Sequence, residues 1–290
     1  MLIENDILRS LLLIAADAAS EIMAVYRQAF DVEFKTPKDP VTEADRRANR
    51  LISERLAEEF ASIPVVAEET PAHLWGERRN EQRIFFVDPV DGTREFVERN
   101  DNFSIMIGLV DGPHPSIGVV WAPALRKVWA ASPEDGAFSF ELQHEVFTET
   151  LIQAGLPRKQ LVVSAEKELK HARFLLSPSF DPKRAGPIVE QLAPEQRILV
   201  GGAGLKAVAV AEGRGDIYAT PRHQGSRWDC CAPEAIVRAA GGRYTDARGL
   251  DLDYRSEQIK NLHGIVATNQ LLHDACLKEL QRFVAKGDQK

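Results

Sequence analysis

Glu68, Asp88, Asp91 and Asp229 carry the most chemical information in this sequence. Asp88 and Asp91 lie in Asp88-Pro89-Val90-Asp91-Gly92-Thr93, directly after the apolar run Ile84 to Val87. A run of that kind reads as a buried strand that delivers Asp88 to its end. Pro89 has no N–H to donate and helps break the ladder. Gly92 permits a tight turn before a helix that starts near Thr93. Two carboxylates at such a corner can share a hard cation, since magnesium takes oxygen ligands. The free N–H groups around Gly92 and Thr93 then face whatever lies beside the metal, and that suits a phosphate. The same residues also read as plain turn formers. Glu68 and Glu69 follow a second apolar run, Ile63 to Ala67, and for either one alone an exposed loop acid is a sufficient account. Asp229, before the segment Cys230 to Ala240, needs no role beyond a helix N-cap. Their shared setting raises all four above these bland roles. Each stands at the end of a strand or the start of a helix, the edge where α/β proteins place their sites.

The elements that must position these acids are legible in outline. Leu8, Leu11, Leu12, Ala15, Ala19, Ile22, Met23 and Tyr26 recur at helical spacing and predict an amphipathic first helix. A second helix runs from about Thr42 to Phe60, with Thr42 as N-cap and Asp45 in the first turn. Phe103 to Val110 and Ile117 to Trp121 read as paired strands around an Asp111-Gly112-Pro113 turn, and Val128 to Ala131 continues the sheet. The mixed stretch from Ser132 to Gln160 holds the boundary between halves, which we draw as residues 1–140 and 141–290. Beyond it come a strand at Leu161 to Ser164, a helix at Asp181 to Leu192, a helical pattern from Leu205 after Gly201, Gly202 and Gly204, and a short strand at Ile217 to Ala219. A helix from Ala232 to Ala240 stops at Gly241 and Gly242. Strands alternating with helices define a layered α/β or α+β architecture.

Composition narrows the function classes. The 290 residues are 44% hydrophobic and 27% charged, ordinary for a globular chain able to bury a large core. A net charge of -7 with no basic stripe argues against a nucleic-acid polymer as partner. The run Leu11 to Ala16 lacks a basic leader and is interrupted by Asp17 and Glu21, so neither a signal peptide nor a membrane span is expected. Cys230, Cys231 and Cys276 read as reduced thiols of a cytoplasmic protein. The histidines, His144 and His223 among them, show no metal spacing, Trp75, Trp121 and Trp129 read as packing residues, and Arg214-Gly215-Asp216 reads as a turn.

Taken together, the motifs resemble the inositol monophosphatase superfamily and, within it, the CysQ-type 3'(2'),5'-bisphosphate nucleotidase branch. The matching blocks are Val41-Thr42-Glu43-Ala44-Asp45, Val66 to Thr70, Asp88 to Phe96, and Trp228-Asp229 running into Ala232-Pro233-Glu234. Gly201 to Lys206, followed by Ala211-Glu212-Gly213, is similar to the nucleotidase branch in particular. The spacing of Asp88 and Asp91 departs from the Asp-x-Asp-Gly-Thr of haloacid-dehalogenase phosphatases by one residue. The resemblance implies an αβαβα sandwich of the inositol monophosphatase and fructose-1,6-bisphosphatase type, with two or three Mg²⁺ ions at the junction of the halves and inhibition by Li⁺. It implies that Glu68, Asp88, Asp91, Asp229 and the Val90 carbonyl are metal ligands, that Asp45 and Thr93, with Glu68, activate water, and that Gly92 and Thr93 contact the phosphate.

The chemistry agrees, since phosphate-ester hydrolysis asks mainly for positioning and charge neutralisation. The implied substrate is a small phosphorylated metabolite, adenosine 3',5'-bisphosphate (with its sulfated analogue a further candidate), cleaved to AMP and phosphate. Ser164, Lys167, Gly202, Lys206 and Asp229 are the further substrate contacts. Lys167 is read as a substitute for a histidine, because Ser164-Ala165-Glu166-Lys167 departs from the branch's Ser-Arg-Ser-His-like segment. An inositol monophosphatase is the alternative activity, a catalytically silent nucleotide-binding regulator the alternative of another class, and a homodimer the assembly considered.

Overall fold

Alternation along the central strands decides the layering. In the computed structural model, which describes residues 2–284 other than 37, 38, 76, 77, 79, 143–147, 156, 179, 181 and 223, the chain begins with α1 (Asp6–Tyr26). A hairpin of β1 (Val32–Thr36) and β2 (Asp39–Thr42) leads into α2 (Glu43–Glu59). Then come β3 (Val65–Ala67), β4 (Arg83–Asp91), the short α3 (Thr93–Val97), β5 (Ser104–Asp111), β6 (His114–Ala122), β7 (Lys127–Ser132) and β8 (Gly136–Glu141). They are followed by α4 (Glu149–Ala154), β9 (Lys159–Gln160), β10 (Arg173–Leu176), α5 (Pro182–Leu192), β11 (Gln196–Leu199) and α6 (Ala203–Ala211). The chain closes with β12 (Ile217–Thr220), α7 (Trp228–Ala239), β13 (Arg243–Thr245), β14 (Ile265–Thr268) and α8 (His273–Val284). His144 and His223 lie outside the described residues.

Strands β3 to β9 form a seven-stranded sheet in sequence order, with β3 parallel to β4 and the other pairs antiparallel. A five-stranded sheet has the order β11-β10-β12-β14-β13. Successive residues of a strand face opposite sides. Phe85, Val87, Ile105 and Ile107 accordingly pack with α1 and α2, while Ile84, Phe86 and Met106 pack with α6 and α7. The far side of α6 and α7 meets Leu175, Tyr218, Tyr244 and Ala267 of the second sheet. Phe174, Leu176, Ile217 and Val266 face the other way, towards α5 and α8. The order of layers is thus helix, sheet, helix, sheet, helix, as expected.

Local signals set the ends of the first two helices. Asn5 caps α1 by accepting the Leu8 N–H at 2.8 Å. Thr42 and Asp45 cap α2 reciprocally, and the N–H of Thr42 donates to Asp45 at 2.8 Å. Helix α7 starts at Trp228, four residues before the expected Ala232, and so places Asp229 inside its first turn. Pro233 is the reason for the difference: a proline signals a helix start, yet here it sits in the interior. Lacking an N–H, it leaves the Asp229 carbonyl without the usual helical donor. The strand expected at Leu161 to Ser164 is absent. The backbone there runs between layers, with the Leu161 N–H on the Ala137 carbonyl and the Val163 N–H on the Ala240 carbonyl. The first sheet ends at Gln160 and the second begins at Arg173.

The central layer can lie close to the first sheet because two facing strand positions have no side chain. Gly108 and Gly118 are register partners on β5 and β6, and a Cβ on Gly118 would stand 2.3 Å from the Ala232 carbonyl oxygen of α7. Gly118→Ala is expected to lower stability by about 1–3 kcal/mol through overpacking. Gly186→Ala, within α5 where a Cβ meets nothing within 4 Å, should raise it by about 0.5–1 kcal/mol. Paired denaturant titrations of the two variants check both signs.

Candidate active site

Strand parity aims Asp88. It continues the series of Ile84 and Phe86, and therefore points from β4 towards the α6/α7 layer. Between Asp88 and Asp91 the pairing with β5 shifts register, an irregularity that re-aims side chains. Val90 then packs on the α1/α2 side, and Asp91 reaches across to the second half of the chain. Its carboxylate accepts the N–H groups of Ala203 at 2.9 Å and Gly204 at 2.7 Å, and faces the Ser104 hydroxyl at 3.4 Å. Asp91 thus serves as the missing cap of α6, whose own N-cap, Gly202, has no side chain to offer. Gly202 stands at φ +62°, and a Cβ there would come within 2.5 Å of Asp91 Oδ2. Glycine is what lets the two halves close on that carboxylate. Asp229 is held by the Ser226 N–H at 2.5 Å in the favourable field of a helix N-terminus.

One oxygen from each of Asp88, Asp91 and Asp229 lies within 4.8 Å of the others. Asp88 and Asp91 are buried and Asp229 is partly open to the cavity described below. Glu68, on the turn after β3, is anchored by its N–H on the Val87 carbonyl. It is not one of the converging three, yet its charge is the strongest charge effect on both Asp88 and Asp229. Burial first, then these like charges, push the Asp88 carboxyl well above the ordinary range and Asp229 up to about 8. A hard divalent cation fits this donor set, being all oxygen and anionic, and would relieve the repulsion that raises those values.

Asp45 and Thr93 adjoin the cluster. The carboxylate of Asp45 accepts from the Thr42 hydroxyl at 2.6 Å and from the Thr93 hydroxyl at 3.2 Å. Burial is the main cause of its raised pKa, with Glu68 adding to it. Thr93 Oγ1 also lies 3.1 Å from the Val90 carbonyl, so two acceptors compete for its single proton. Gly92, at φ +89°, begins α3; a Cβ would press to 2.9 Å from the Asn102 carbonyl oxygen.

These groups open on a cavity of about 660 Å³ that both halves line. Asp91, Gly92 and Thr93 contribute from one side, and Gly202, Lys206 and Asp229 from the other. Lys206 is 4% exposed, and its ammonium donates to the Ser177 hydroxyl at 3.0 Å and to the Gly202 carbonyl, over the Tyr218 ring. Burial pulls its pKa down, while Asp91, Glu95 and Asp229 hold it up.

Ser164 and Lys167 are not brought to this cavity. The Ser164 hydroxyl donates to Asp216 at 2.5 Å and accepts from the Asn269 amide at 2.8 Å, beside a separate cavity of about 440 Å³. Lys167 is exposed and lines neither. The physical reason is strand polarity: Ser164 bonds Asp216 and Asn269, which precede β12 and follow β14, whereas the cavity lies at the other ends of those strands, by Thr220 and Ile265. The Asp216 of the Arg-Gly-Asp triplet is fully buried there, in a two-pronged pair with Arg173. Conversely Ser104, Ser177, Phe180, Arg94, Tyr218 and Arg222 belong to the site's surroundings and escaped the sequence reading. Ser104 faces Asp91 within the first sheet and Arg94 follows Asp91 by three residues, whereas Ser177, Phe180, Tyr218 and Arg222 approach the acids only once the two sheets are stacked, and no spacing marks them.

A layered fold with a buried aspartate cluster at the mouth of a two-sided cavity is the architecture of a metal-dependent phosphatase. The signature of the inositol monophosphatase family matches residues 6–285, and the chain belongs to that family. It is 35% identical to a 3'(2'),5'-bisphosphate nucleotidase CysQ from Shigella flexneri over 83% of this chain and 91% of that protein. It is 34% identical to a histidinol-phosphatase from Mycobacterium tuberculosis over 95% of this chain and 98% of that one. The structure superposes on the Thermotoga maritima IMPase with a TM-score of 0.77 at 26% identity, covering 98% and 100% of the two chains. Among the described residues, no helix is long and apolar enough to cross a membrane.

The raised carboxyls give a pH signature to the metal-free protein. An acid with a raised folded-state pKa binds its proton more tightly folded than unfolded, so stability is lost as pH rises. For Asp229 the window runs from the ordinary carboxylate range, about 4, up to about 8. Asp88 and Asp45 act with the same sign. The lowered carboxyls of Asp135, Glu212 and Asp216 lose their contribution only at pH below that window. Thermal unfolding in EDTA should therefore show a lower Tm at pH 8 than at pH 7, above the range in which His273, pulled down to about 4 by burial, acts with the opposite sign, and Mg²⁺ should raise Tm more at pH 8. Asp229→Asn should flatten the slope; a wild-type Tm that rises with pH over this range would contradict the account. Lys167→Ala, far from the cavity, is expected to leave KM for adenosine 3',5'-bisphosphate within about twofold, since surface exchanges are energetically small.

Proposed function

We propose that the chain is a Mg²⁺-dependent 3'(2'),5'-bisphosphate nucleotidase that hydrolyses the 3'-phosphate of adenosine 3',5'-bisphosphate to AMP and phosphate. The observation that carries the reading is the convergence of Asp88, Asp91 and Asp229 within 4.8 Å at the end of a cavity that also holds the buried cation of Lys206. Glu68, Asp88, Asp91, Asp229 and the Val90 carbonyl are the groups that would hold two or three ions. Bound divalent ions supply neutralisation of phosphate charge and a lowered pKa of water at neutral pH.

The chain's own groups do the rest. The Thr93 hydroxyl, giving its proton to Asp45, turns a lone pair towards a water and orients it, as it can accept while it donates. The raised pKa of Asp45 makes that carboxylate a better proton acceptor than an ordinary surface aspartate. Gly92, in the left-handed region with its vacant side against Asn102 and Phe103, makes the turn that presents Thr93 to the cavity. A second phosphate is served by Lys206 and by Arg222, which also lines the cavity. Neither Arg94 nor Arg222 forms an ion pair among the described residues, so these two lining guanidinium groups supply positive charge in a chain of net charge -7. In this reading residues 1–140 provide most of the metal ligands, and 141–290 provide Asp229 and the substrate contacts. Li⁺ inhibition, a cytoplasmic location and a homodimer belong to the same proposal.

The alternative activity on inositol phosphates has the support of the Thermotoga likeness, but a monophosphate leaves Lys206 and Arg222 without a second anion. Phosphate release from adenosine 3',5'-bisphosphate, inositol 1-phosphate and histidinol phosphate, measured side by side with saturating Mg²⁺, tests the choice. The nucleotide should have the highest kcat/KM, and a preference for either monophosphate would overturn the reading. Asp91→Asn should abolish turnover, which separates an enzyme from a silent nucleotide-binding regulator. Thr93→Ala should lower kcat by about 10²–10⁴, the usual range for a lost proton-handling group. Lys206→Met should act mainly on KM for the bisphosphate and weaken AMP as a product inhibitor by a similar factor, because AMP keeps the 5'-phosphate that Lys206 serves, while KM for inositol 1-phosphate changes little.

A further inference from the structure

The cavity has an end that neither the carboxylates nor the cations account for. Part of its wall comes from Leu176 of β10, Phe180 on the segment leading to α5, and Ala185 and Ile188 of α5. Leu176 and Ile188 are 6% and 7% exposed and belong to the core cluster beneath α5, so this end has a hydrocarbon floor. Phe180, which lines the same cavity, is only half-buried. The Phe180 N–H donates to the Ser177 carbonyl at 3.1 Å, and Ser177 in turn accepts from Lys206 through its hydroxyl. The Phe180 backbone is therefore linked, through Ser177, to the cation proposed for the second phosphate.

An aromatic ring left half open in a cavity that also has apolar lining gains free energy when something flat and apolar covers it. A polyol is poorly suited to that place, because its ring carries hydroxyls on every edge that would lose water there without gaining partners. A nucleobase has the opposite character. It presents a broad face that stacks on an aromatic side chain while its polar atoms remain at the edge.

We propose that this end of the cavity seats the purine base of the substrate, with Phe180 as the stacking platform and Leu176 and Ile188 as the floor. Phe180 is then a specificity-determining residue that selects a nucleoside phosphate over a polyol phosphate. The inference rests on the nucleotidase reading and deepens it, by assigning the chain's own residues to the part of the substrate remote from the reacting phosphate.

The test compares adenosine 3',5'-bisphosphate with its abasic counterpart, 1-deoxyribose 3,5-bisphosphate, using the full chain with Mg²⁺. The wild-type ratio of kcat/KM, base-bearing over abasic, should exceed about tenfold, the scale of a base–aromatic stack. Phe180→Ala should cut that ratio by about tenfold, chiefly through KM, and Phe180→Trp should preserve or raise it. Phe180→Leu, which keeps apolar bulk and removes the π face, should fall in between and serves if the alanine variant does not fold. A wild-type ratio near one, or a Phe180→Ala ratio within about twofold of wild type, overturns the base seat while leaving the nucleotidase reading intact. Failure of that reading looks different: the wild type would release no phosphate from either bisphosphate while hydrolysing inositol 1-phosphate.

Discussion

Mutual repulsion among buried carboxylates is the constraint around which this molecule is arranged. Three aspartates with oxygens within 4.8 Å of one another repel by roughly 3–4 kcal/mol per ionised pair at an effective dielectric constant of about 20. Nothing in a folding chain brings such groups together spontaneously; the scaffold has to force them. It does so by stacking two sheets against a shared helical layer and by supplying N–H donors where the charges fall. Ala203 and Gly204 donate to Asp91, Ser226 donates to Asp229, and the Val90 N–H donates to Asp88 at 3.0 Å. These bonds stabilise the ionised forms without removing the strain between them, and a site of that kind is ready for a cation.

Several residues owe their place to two physical needs at once. Asp45 closes the capping box of α2 and also receives the Thr93 hydroxyl. Asp91 caps α6 from another strand and belongs to the acidic cluster. Capping fixes each carboxylate by the geometry of a whole helix, and a helix moves less than a loop does. Pre-organisation of this kind matters for a reaction whose catalysis is mostly positioning. The glycines at 108, 118 and 202 serve the same end by permitting the close approaches on which the central layer depends.

The cavity divides its chemistry among its walls. Its acidic lining comes from strand and helix termini of both halves, its cations from α3, α6 and the segment after β12, and much of its apolar lining from β10 and α5. Members of one family that share the acidic lining can differ in the other two. Two relatives at nearly equal identity to this chain, a bisphosphate nucleotidase and a histidinol-phosphatase, differ in this way in the substrate they are named for. In the proposed reading, substrate choice belongs to the walls contributed by the second sheet and its outer helices.

Sequence alone determined the acids, their positions at strand and helix ends, the first two helices with the Thr42 and Asp45 cap, and the layered class of the fold. Those signals are local: period-two and period-3.6 apolarity, and capping residues at fixed offsets. The start of α7 was obscured by Pro233, and the non-strand course of residues 161–164 by an apolar composition that suits packing between layers as well as pairing in a sheet. Only the tertiary structure decided that Asp91 caps a helix more than a hundred residues away, that Lys206 lies buried beside Ser177 and Tyr218, that Ser164 and Lys167 face elsewhere, and that Phe180 lines the cavity. Each of those relations joins segments distant along the chain, and no local pattern encodes a distance between residues that meet only when the two sheets stack.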